Sequence, residues 1–350
     1  MFSKSHTVLF KSRLFIRLAI FIGASLVPIC TQGQSRIWDL VKGTRNDANA
    51  LLEGYIAPGM EALGDGLNQG WYNTAKTHKT FGIDLTITGS LMYIPRSEEF
   101  YTVNNNDLQS IKLTSFDGIA VAPNESAKVP TLFGPGKTPQ YQVAPFAPFD
   151  GPPGLDLKNE IKLGNILPVP IYHLGIGLPK NFDLKVRWSP TVRVQDFEFN
   201  LYAIGVMHDI KQYFRGIREV PIELAVLVGY SHMEFVQNLS SSINAVDAEG
   251  VAKFNATTIQ ALISKKISVV TLYGALGYNF TSSSLGMIGS FDLDNDGNST
   301  DINPLSLDFS SSSPRITGGA RLKLAIFTLH ADYTLAHFNA LSVGVGLSVR

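Results

Sequence analysis

Long runs of strict alternation between apolar and polar residues constrain this chain more than any other feature. From Gly82 onward the period is two residues, so each extended segment has one apolar face and one polar face. The pattern is clearest between Arg321 and Arg350, where consecutive alternating segments joined by brief connections predict an antiparallel meander. Further alternating segments occupy 83–93, 182–194, 197–208, 219–231, 254–265 and 268–280.

A membrane barrel explains this alternation better than a soluble sandwich. The segments are longer than the five or six residues usual in soluble sheets and suit a tilted crossing of a bilayer. Only 17% of the residues are charged, below the roughly 25% of soluble domains. The sequence therefore predicts an all-β fold, a transmembrane antiparallel up-and-down β-barrel of about 12–14 strands. A soluble secreted sandwich is the alternative.

The amino terminus has the features of a secretory signal peptide. Met1 to Gly33 contains a basic start followed by an apolar stretch that is too short to span a bilayer. Cleavage after Gly33 would remove Cys30, the only cysteine, so the mature chain could form no disulfide and use no thiolate. We expect residues 1–33 to be removed, residues 34–80 to form a plug or periplasmic segment, and residues 81–350 to form the barrel.

One stretch of the chain is predicted to be helical. Between Asn46 and Tyr72 apolar residues recur at steps of three and four, and Pro58 predicts a break between two short helices. This segment could pack on a domain edge or sit at the mouth of the barrel as a plug. Trp71 and Tyr72 are candidate plug residues, which could anchor the segment or grip a ligand.

Charged residues within the polar faces are candidates for a wet lumen. The chain ends on an alternating segment, and the rhythm of short and long connections places both termini in the periplasm and the loops 232–253 and 281–314 outside the cell. The candidate lumen-lining residues are Arg187, Arg321, Lys323, His330 and Asp332.

Catalytic function is not predicted. His330 and Asp332 share a strand face, and a hydrolase would also need a nucleophile near them, but no sequence motif singles out a serine. A polar lumen lining explains both residues more simply. The 29 basic and 29 acidic residues balance, which argues against a nucleic-acid partner, because phosphate binding needs a basic surface.

An acidic segment is a candidate calcium site. Asp292, Asp294 and Asp296 alternate and Gly297 follows, as in the first half of a calcium-binding loop. The twelfth position is Asn303 instead of the bidentate glutamate of an EF-hand. Two interpretations remain open for loop 291–303: a loop-stabilising calcium ion, or a solvated acidic loop without metal. We expect no other cofactor.

Three segments carry a resemblance to known proteins: residues 54–91, GVMHDIKQYF at 205–214, and the ending ADYTLAHFNALSVGVGLSVR. They resemble a poorly characterised family of Bacteroidota outer-membrane β-barrel proteins, which is distantly similar to the fatty-acid-transporter class of barrels. The resemblance implies an outer-membrane location and an amino-terminal plug, and favours transport of a hydrophobic compound without assigning a site.

The sequence features and the resemblance leave two functions open. The first is an outer-membrane channel or passive transporter for small compounds, hydrophobic ones included, with lipid around the barrel and diffusion through a lumen gated by the plug. The second is a surface-exposed binding or structural protein that acts through its long loops.

Overall fold

The computed structural model describes residues 40, 43–160, 164–194, 196–216, 218–239, 245–291, 301–302 and 305–349. Ten antiparallel strands form its main body, and an amino-terminal helix lies inside it. In chain order the elements are α1 (Arg45–Leu67), β1 (Ile83–Tyr93), β2 (Phe100–Asn104), β3 (Ile111–Phe116), β4 (Ile119–Ala120), β5 (Ser126–Pro130), β6 (Gln140–Val143), β7 (Phe149–Asp150), α2 (Leu157–Glu160), β8 (Ile166–Leu178), β9 (Phe182–Val194), β10 (Phe197–Asp209), β11 (Glu223–Asn238), β12 (Ala245–Ile267), β13 (Val270–Phe291), β14 (Asp301–Ile302), β15 (Ser306–Leu324), β16 (Phe327–Leu335) and β17 (Ala340–Val349).

The sheet closes on itself. Going round the wall, the order is β1, β8, β9, β10, β11, β12, β13, β15, β16 and β17. The last strand returns to the first, from Ile83 opposite Val349 to Met92 opposite Ala340. The predicted transmembrane up-and-down barrel is therefore confirmed, with ten strands in its wall instead of 12 to 14. Strands β2 to β7 account for the difference, because they lie between β1 and β8 and pair outside the wall.

The barrel has polar side chains inside and apolar side chains outside, and β13 shows how this changes along a strand. Leu276 and Phe280 are exposed on the outer face, while Asn279 is buried on the inner face. Beyond Phe280 the two faces exchange character: Ser282 points outward and Met287 is buried. A face that is apolar over one band and polar above it is what a bilayer crossing requires.

The apolar band has the height of a hydrocarbon layer. Ten residue steps separate Val270 from Phe280, or about 33 Å of strand and about 25 Å along the membrane normal at a tilt of about 40°. Exposed aromatic rings flank the band, as at membrane interfaces. They are Trp188, Tyr202, Tyr278 and Phe280 at one edge, and Phe81, Tyr213, Phe214 and Phe327 at the other.

The two ends of the barrel differ. At the end that we call the short-turn end, β12 joins β13 through 268–269 and β15 joins β16 through 325–326. At the opposite, long-strand end, β11, β12, β13 and β15 continue beyond the apolar band. The predicted loops 232–253 and 281–314 are thus largely strands where they are described, because their alternation inverts above the membrane boundary and its outer face no longer looks apolar.

A cap covers the long-strand end. It comprises residues 94–160 between β1 and β8, with strands β2 to β7 and helix α2. Its apolar residues share one core with the first half of α1 and with the inner faces of the extended strands, including Leu51, Ile111, Leu113, Phe254 and Met287. The start of α1 therefore lies at the long-strand end, whereas β17 ends at the short-turn end beside the start of β1. The expected periplasmic placement of the amino terminus concerns residues outside the described part of the chain.

Helix α1 is a single helix, and the predicted break at Pro58 is wrong. A proline removes one backbone donor and disturbs the carbonyl groups of the preceding turn. In that turn the carbonyl of Tyr55 accepts a hydrogen bond from the N–H of Leu132 in the cap (2.8 Å). One turn earlier the hydroxyl of Tyr101 donates to the carbonyl of Leu51 (3.1 Å), so the cap holds the helix on both sides of this region. None of the described helices is both long and apolar enough to span a bilayer.

Candidate functional site

The lumen is occupied by a plug, which consists of α1 and residues 68–82. Asp47 at the start of α1 contacts Ser110 in the cap, and Leu67 at its end reaches Arg187 of β9. The chain then continues to the short-turn end, where His78 contacts Asp183 before β1 begins. The plug thus runs the length of the barrel interior.

Two arginines of the wall hold the end of α1. Arg187 donates through Nη1 to the carbonyl of Leu67 (2.8 Å) and through Nη2 to the carbonyl of Gln69 (2.6 Å). Arg315 of β15 donates to the carbonyl of Asn68 (2.8 Å) and to Oε1 of Gln69 (2.9 Å). The last carbonyls of a helix lack partners and carry partial negative charge. The last turn of α1 has no basic residue, so the wall provides the compensating charge.

Trp71 is packed between a wall arginine and a pair of wall glycines. Gly205 and Gly229 face each other across β10 and β11, and a Cβ built on either would come 2.6–2.7 Å from the indole ring. On the ring, the guanidinium carbon of Arg187 lies 3.6 Å from the centroid, a cation–π distance. Only glycine leaves room for an indole this close to the wall.

Below Trp71 the plug is tied to the wall by hydrogen bonds. Tyr72 donates its hydroxyl to Oε1 of Gln260 (2.8 Å), and the N–H of Ala75 donates to Oγ of Ser264 (3.0 Å). His78 contacts the carboxylate of Asp183 twice, through its backbone N–H and through Nδ1, both at 2.8 Å. The plug therefore has partners on β9 and on β12, which are three strands apart in the wall.

The predicted lumen residues are divided between two places. Arg187 is buried against the plug, whereas Arg321, His330 and Asp332 are buried on the inner faces of β15 and β16. Lys323 is half-buried at the short-turn end, where Nζ donates to the carbonyl of Ser348 (2.8 Å). The candidates do not converge on a single site.

The contacts of His330 and Asp332 do not form the arrangement that a hydrolase would need. His330 lies 3.3 Å from the hydroxyl of Thr88 through Nε2, and Asp332 accepts a hydrogen bond from the hydroxyl of Tyr273 (2.8 Å). The two side chains thus engage different partners. His173 and Asp84 form a further buried contact at 3.4 Å on the neighbouring strands β8 and β1.

The wall is interrupted between β8 and β9. These strands pair only from Leu174 opposite Val186 to Leu178 opposite Phe182, near the short-turn end. Above this region, within the described part of both strands, 166–173 of β8 and 187–194 of β9 have no backbone pairing with each other. We call this opening the wall gap. The hydroxyl of Tyr172 bridges it by donating to the carbonyl of Trp188 (2.8 Å).

Two prolines account for the wall gap. The N–H and carbonyl of Gly177 point toward the β1 side, where they bond with Gly82 and Phe81. Backbone groups alternate along a strand, so the even-numbered residues of β8 point toward β9. Pro168 and Pro170 are both at even positions, and neither can donate a hydrogen bond there.

A small apolar cavity adjoins the wall gap. Its volume is about 30 Å³, and it lies between α1 and the strands β8, β10 and β11. It is lined by Leu63, Leu67, Val169, Pro170, Tyr172, Phe199, Leu201 and Met233. Because Pro170 and Tyr172 belong to the edge of the gap, the cavity connects the plug to the interrupted part of the wall.

Sequence reasoning missed several of these residues. Arg315 was placed next to a predicted loop, although its alternation with Pro314 and Ile316 is a strand signal. Pro168 and Pro170, two residues apart in an otherwise strand-like segment, indicate a strand edge without a partner. Nothing in the sequence relates Gly205 to Trp71.

The predicted calcium ligands cannot be placed. Asp292, Asp294 and Asp296 lie outside the described residues. Within the described ranges, no cluster of three His, Cys, Asp or Glu side chains could hold a metal ion. The calcium site therefore remains a prediction.

A family model of unknown function, DUF6588, matches residues 10–349. The chain belongs to this family. No curated protein is significantly similar to the DUF6588 chain in sequence.

Three solved structures are remotely similar to this DUF6588 protein. The attachment invasion locus protein Ail of Yersinia pestis is 9% identical, with 77% of this chain and 99% of that chain covered and a TM-score of 0.25. The translocator domain of the autotransporter NalP from Neisseria meningitidis is 12% identical (88% and 99% covered, TM-score 0.27). The outer membrane protease OmpT from Escherichia coli is 8% identical (78% and 98% covered, TM-score 0.28). Similarities this low support no inference about activity.

Proposed function

We propose that this DUF6588 protein is an outer-membrane barrel through which small hydrophobic compounds diffuse by way of the wall gap. The short-turn end faces the periplasm and the long-strand end, with the cap, faces outward. The observation that carries the proposal is the apolar cavity beside an unpaired stretch of wall, at the edge of the lipid-facing band that Trp188 and Tyr202 mark.

The chemistry of the path suits an apolar solute. The plug fills the axial route with buried charged and polar contacts, such as Arg187 with Leu67 and Tyr72 with Gln260. The cavity, by contrast, is lined with aliphatic, aromatic and thioether side chains, which favour transfer of an apolar group out of water. At about 30 Å³ the cavity is far smaller than a ligand pocket, so a compound can enter only when α1 moves away from the wall. Displacing the Tyr172 bridge then opens its way to the lipid.

Passage is passive in this account. Leu63 and Leu67 of α1 form one side of the cavity, so the position of the plug sets its size. Arg187 and Arg315 fix that position through the end of α1. Thermal motion of the plug against these two arginines would widen or narrow the route.

Restoring the missing backbone donors tests the proposal. Purified protein in liposomes should accelerate transfer of a hydrophobic dye such as N-phenylnaphthylamine from the aqueous phase. Pro168→Val with Pro170→Val should close the gap and reduce the protein-dependent rate about tenfold, while Pro314→Val, in the paired strand β15, should leave it unchanged. Equal rates for the double variant and the wild type would refute transport through the gap.

A second candidate function is binding at the cell surface. The extended strands present a polar outer face beyond the apolar band, with Glu249, Lys253 and Asp308 exposed. If this surface is the functional one, replacing these residues with serine would reduce adhesion to glycan-coated surfaces and leave dye transfer intact. The proline variants would then have no effect on adhesion.

A further inference from the structure

We propose that the short-turn end carries a binding surface for anionic phospholipid headgroups. The surface is a basic arc formed by Lys79, Lys180, Arg215, Lys265 and Lys266, all exposed. This inference requires the membrane barrel but is independent of transport through the wall gap.

The basic residues occupy neighbouring turns around one side of the barrel. Lys79 precedes β1, and Lys180 lies in the turn between β8 and β9. Arg215 follows in the connection from β10 to β11, and Lys265 and Lys266 end β12. Since β1, β8, β9, β10, β11 and β12 are consecutive in the wall, the arc is continuous.

Acidic side chains at this end do not neutralise the arc. Glu223 is engaged by Lys76 at 2.7 Å, and Asp209 accepts a hydrogen bond from the N–H of Lys211 (2.8 Å). Asp209 keeps its charge and Glu219 is exposed, so among the described residues of this end these two carboxylates face the five basic side chains of the arc. The basic arc therefore keeps a net positive charge.

The position of Lys265 points to a lipid and not to a soluble anion. On the outer face of β12 it lies between Ile263 and Ile267, which are 47% and 53% exposed, and its partner on β13 is the exposed Leu272. All three neighbours belong to the lipid-facing band. A lysine in that setting extends along apolar surface until its ammonium meets the phosphate layer.

Aromatic residues interleave with the basic arc in the same way. Tyr213 and Phe214 are exposed immediately before Arg215, and Phe81 follows Lys79 by two residues. Aromatic rings and basic groups alternate where a protein surface meets lipid headgroups, because each ring sits at the interface while the cation pairs with phosphate.

Native mass spectrometry of the full mature barrel in detergent tests this inference. With equal amounts of phosphatidylglycerol and phosphatidylethanolamine of the same acyl chains, the wild type should retain phosphatidylglycerol preferentially. Lys265→Gln with Lys266→Gln should weaken that retention about fivefold for each charge removed. Lys128→Gln with Lys253→Gln, exposed lysines at the other end, should not weaken it.

Three results would overturn the inference. They are equal retention of the two lipids by the wild type, unchanged retention by the Lys265 and Lys266 variant, and displacement of phosphatidylglycerol by an equal concentration of glycerol phosphate. The last would assign the surface to a soluble phosphate. Should that variant fail to fold, as judged by heat-modifiable migration, Lys79→Gln with Lys180→Gln makes the same test from the adjacent turns. Dye transfer is measured separately, so failure of one proposal is distinguishable from failure of the other.

Discussion

The guanidinium carbon of Arg187 lies 3.6 Å from the centroid of the Trp71 ring, so one wall side chain holds both the indole and the end of α1. Arg187 is also the first residue of β9 above the last pair that this strand makes with β8. The side chain that fixes the plug is therefore at the lower edge of the wall gap.

Replacing Arg187 should release the plug. Arg187→Met removes two hydrogen bonds to buried carbonyls and the cation–π contact, and should lower the free energy of unfolding by about 3 kcal/mol. It should also raise ion leakage in planar bilayers. Arg193→Met, on the same strand but exposed and paired with Glu198, is the matched control and should change neither quantity. Wild-type leakage from the Arg187 variant would contradict the assigned role.

Adding a side chain under Trp71 should expel the ring. Gly205→Val places carbon atoms where the indole lies and should cost about 1–3 kcal/mol through overpacking. Trp71→Ala should cost less stability in the Gly205→Val chain than in the wild type, because the clash disappears with the ring. Gly318→Val, which faces open space on the outer side of β15, should be tolerated. Thermal unfolding of the wild type, the single Gly205→Val and Trp71→Ala variants and their double variant measures the coupling. Simple additivity of the Gly205 and Trp71 effects would show that the ring is elsewhere.

The attachment of α1 to the cap should weaken in acid. Burial alone would raise the pKa of Asp47, but hydrogen bonds from the N–H groups of 109–111 and from the Ser110 hydroxyl hold this pKa below its ordinary value. Its stabilising effect is thus complete above the unfolded-state pKa of about 3.9 and is lost as pH falls through the lower folded-state pKa.

Hydrogen exchange of the 109–111 amides measures this effect. Protection should fall as the solution is acidified below about pH 4. Asp47→Asn should lower protection already at neutral pH, by about 1–3 kcal/mol, and remove its dependence on pH. Asp107→Asn, at a neighbouring position in the cap, serves as the control. Unchanged protection in Asp47→Asn at pH 7 would exclude the carboxylate as the attachment point.

The barrel could be predicted from sequence because contact with lipid on one face imposes an apolar–polar period of two residues on every strand that crosses the membrane. Leu276 and Val345 alternate with inward residues whether or not the fold is known. The predicted bounds of the last two strands, β16 and β17, agree with the structure almost to the residue, whereas β15 begins within the predicted loop 281–314. The strand count was too high because residues 95–178 contain extended pieces such as Ile111–Phe116 that belong to the cap. Alternation of apolar and polar residues shows that a segment is extended, but it does not show which sheet the strand joins.

The contacts of the candidate site could be predicted only in part. Arg187 was identified as an inward-facing charge, and Trp71 and Tyr72 as plug residues, from local pattern alone. Their contacts depend on strands far apart in sequence: Arg187 meets Leu67, 120 positions away, and Tyr72 meets Gln260, 188 positions away. No local signal encodes such pairs. Pro168 and Pro170 are a local signal for a strand edge without a partner. Which neighbouring strand they leave unpaired depends on the direction of the backbone groups of β8, and the sequence does not show that direction.

The measurement that tests the central claim most directly places a charge on the outer face of β13 at two heights. Leu276 is 63% exposed in the middle of the apolar band, and Ser282 is exposed on the same face above it. If the band faces lipid, Leu276→Arg should destabilise the folded barrel in liposomes by about 2–4 kcal/mol. Ser282→Arg should change its stability by less than about 1 kcal/mol. Equal, small effects of both substitutions would mean that water surrounds the band and would contradict the membrane barrel.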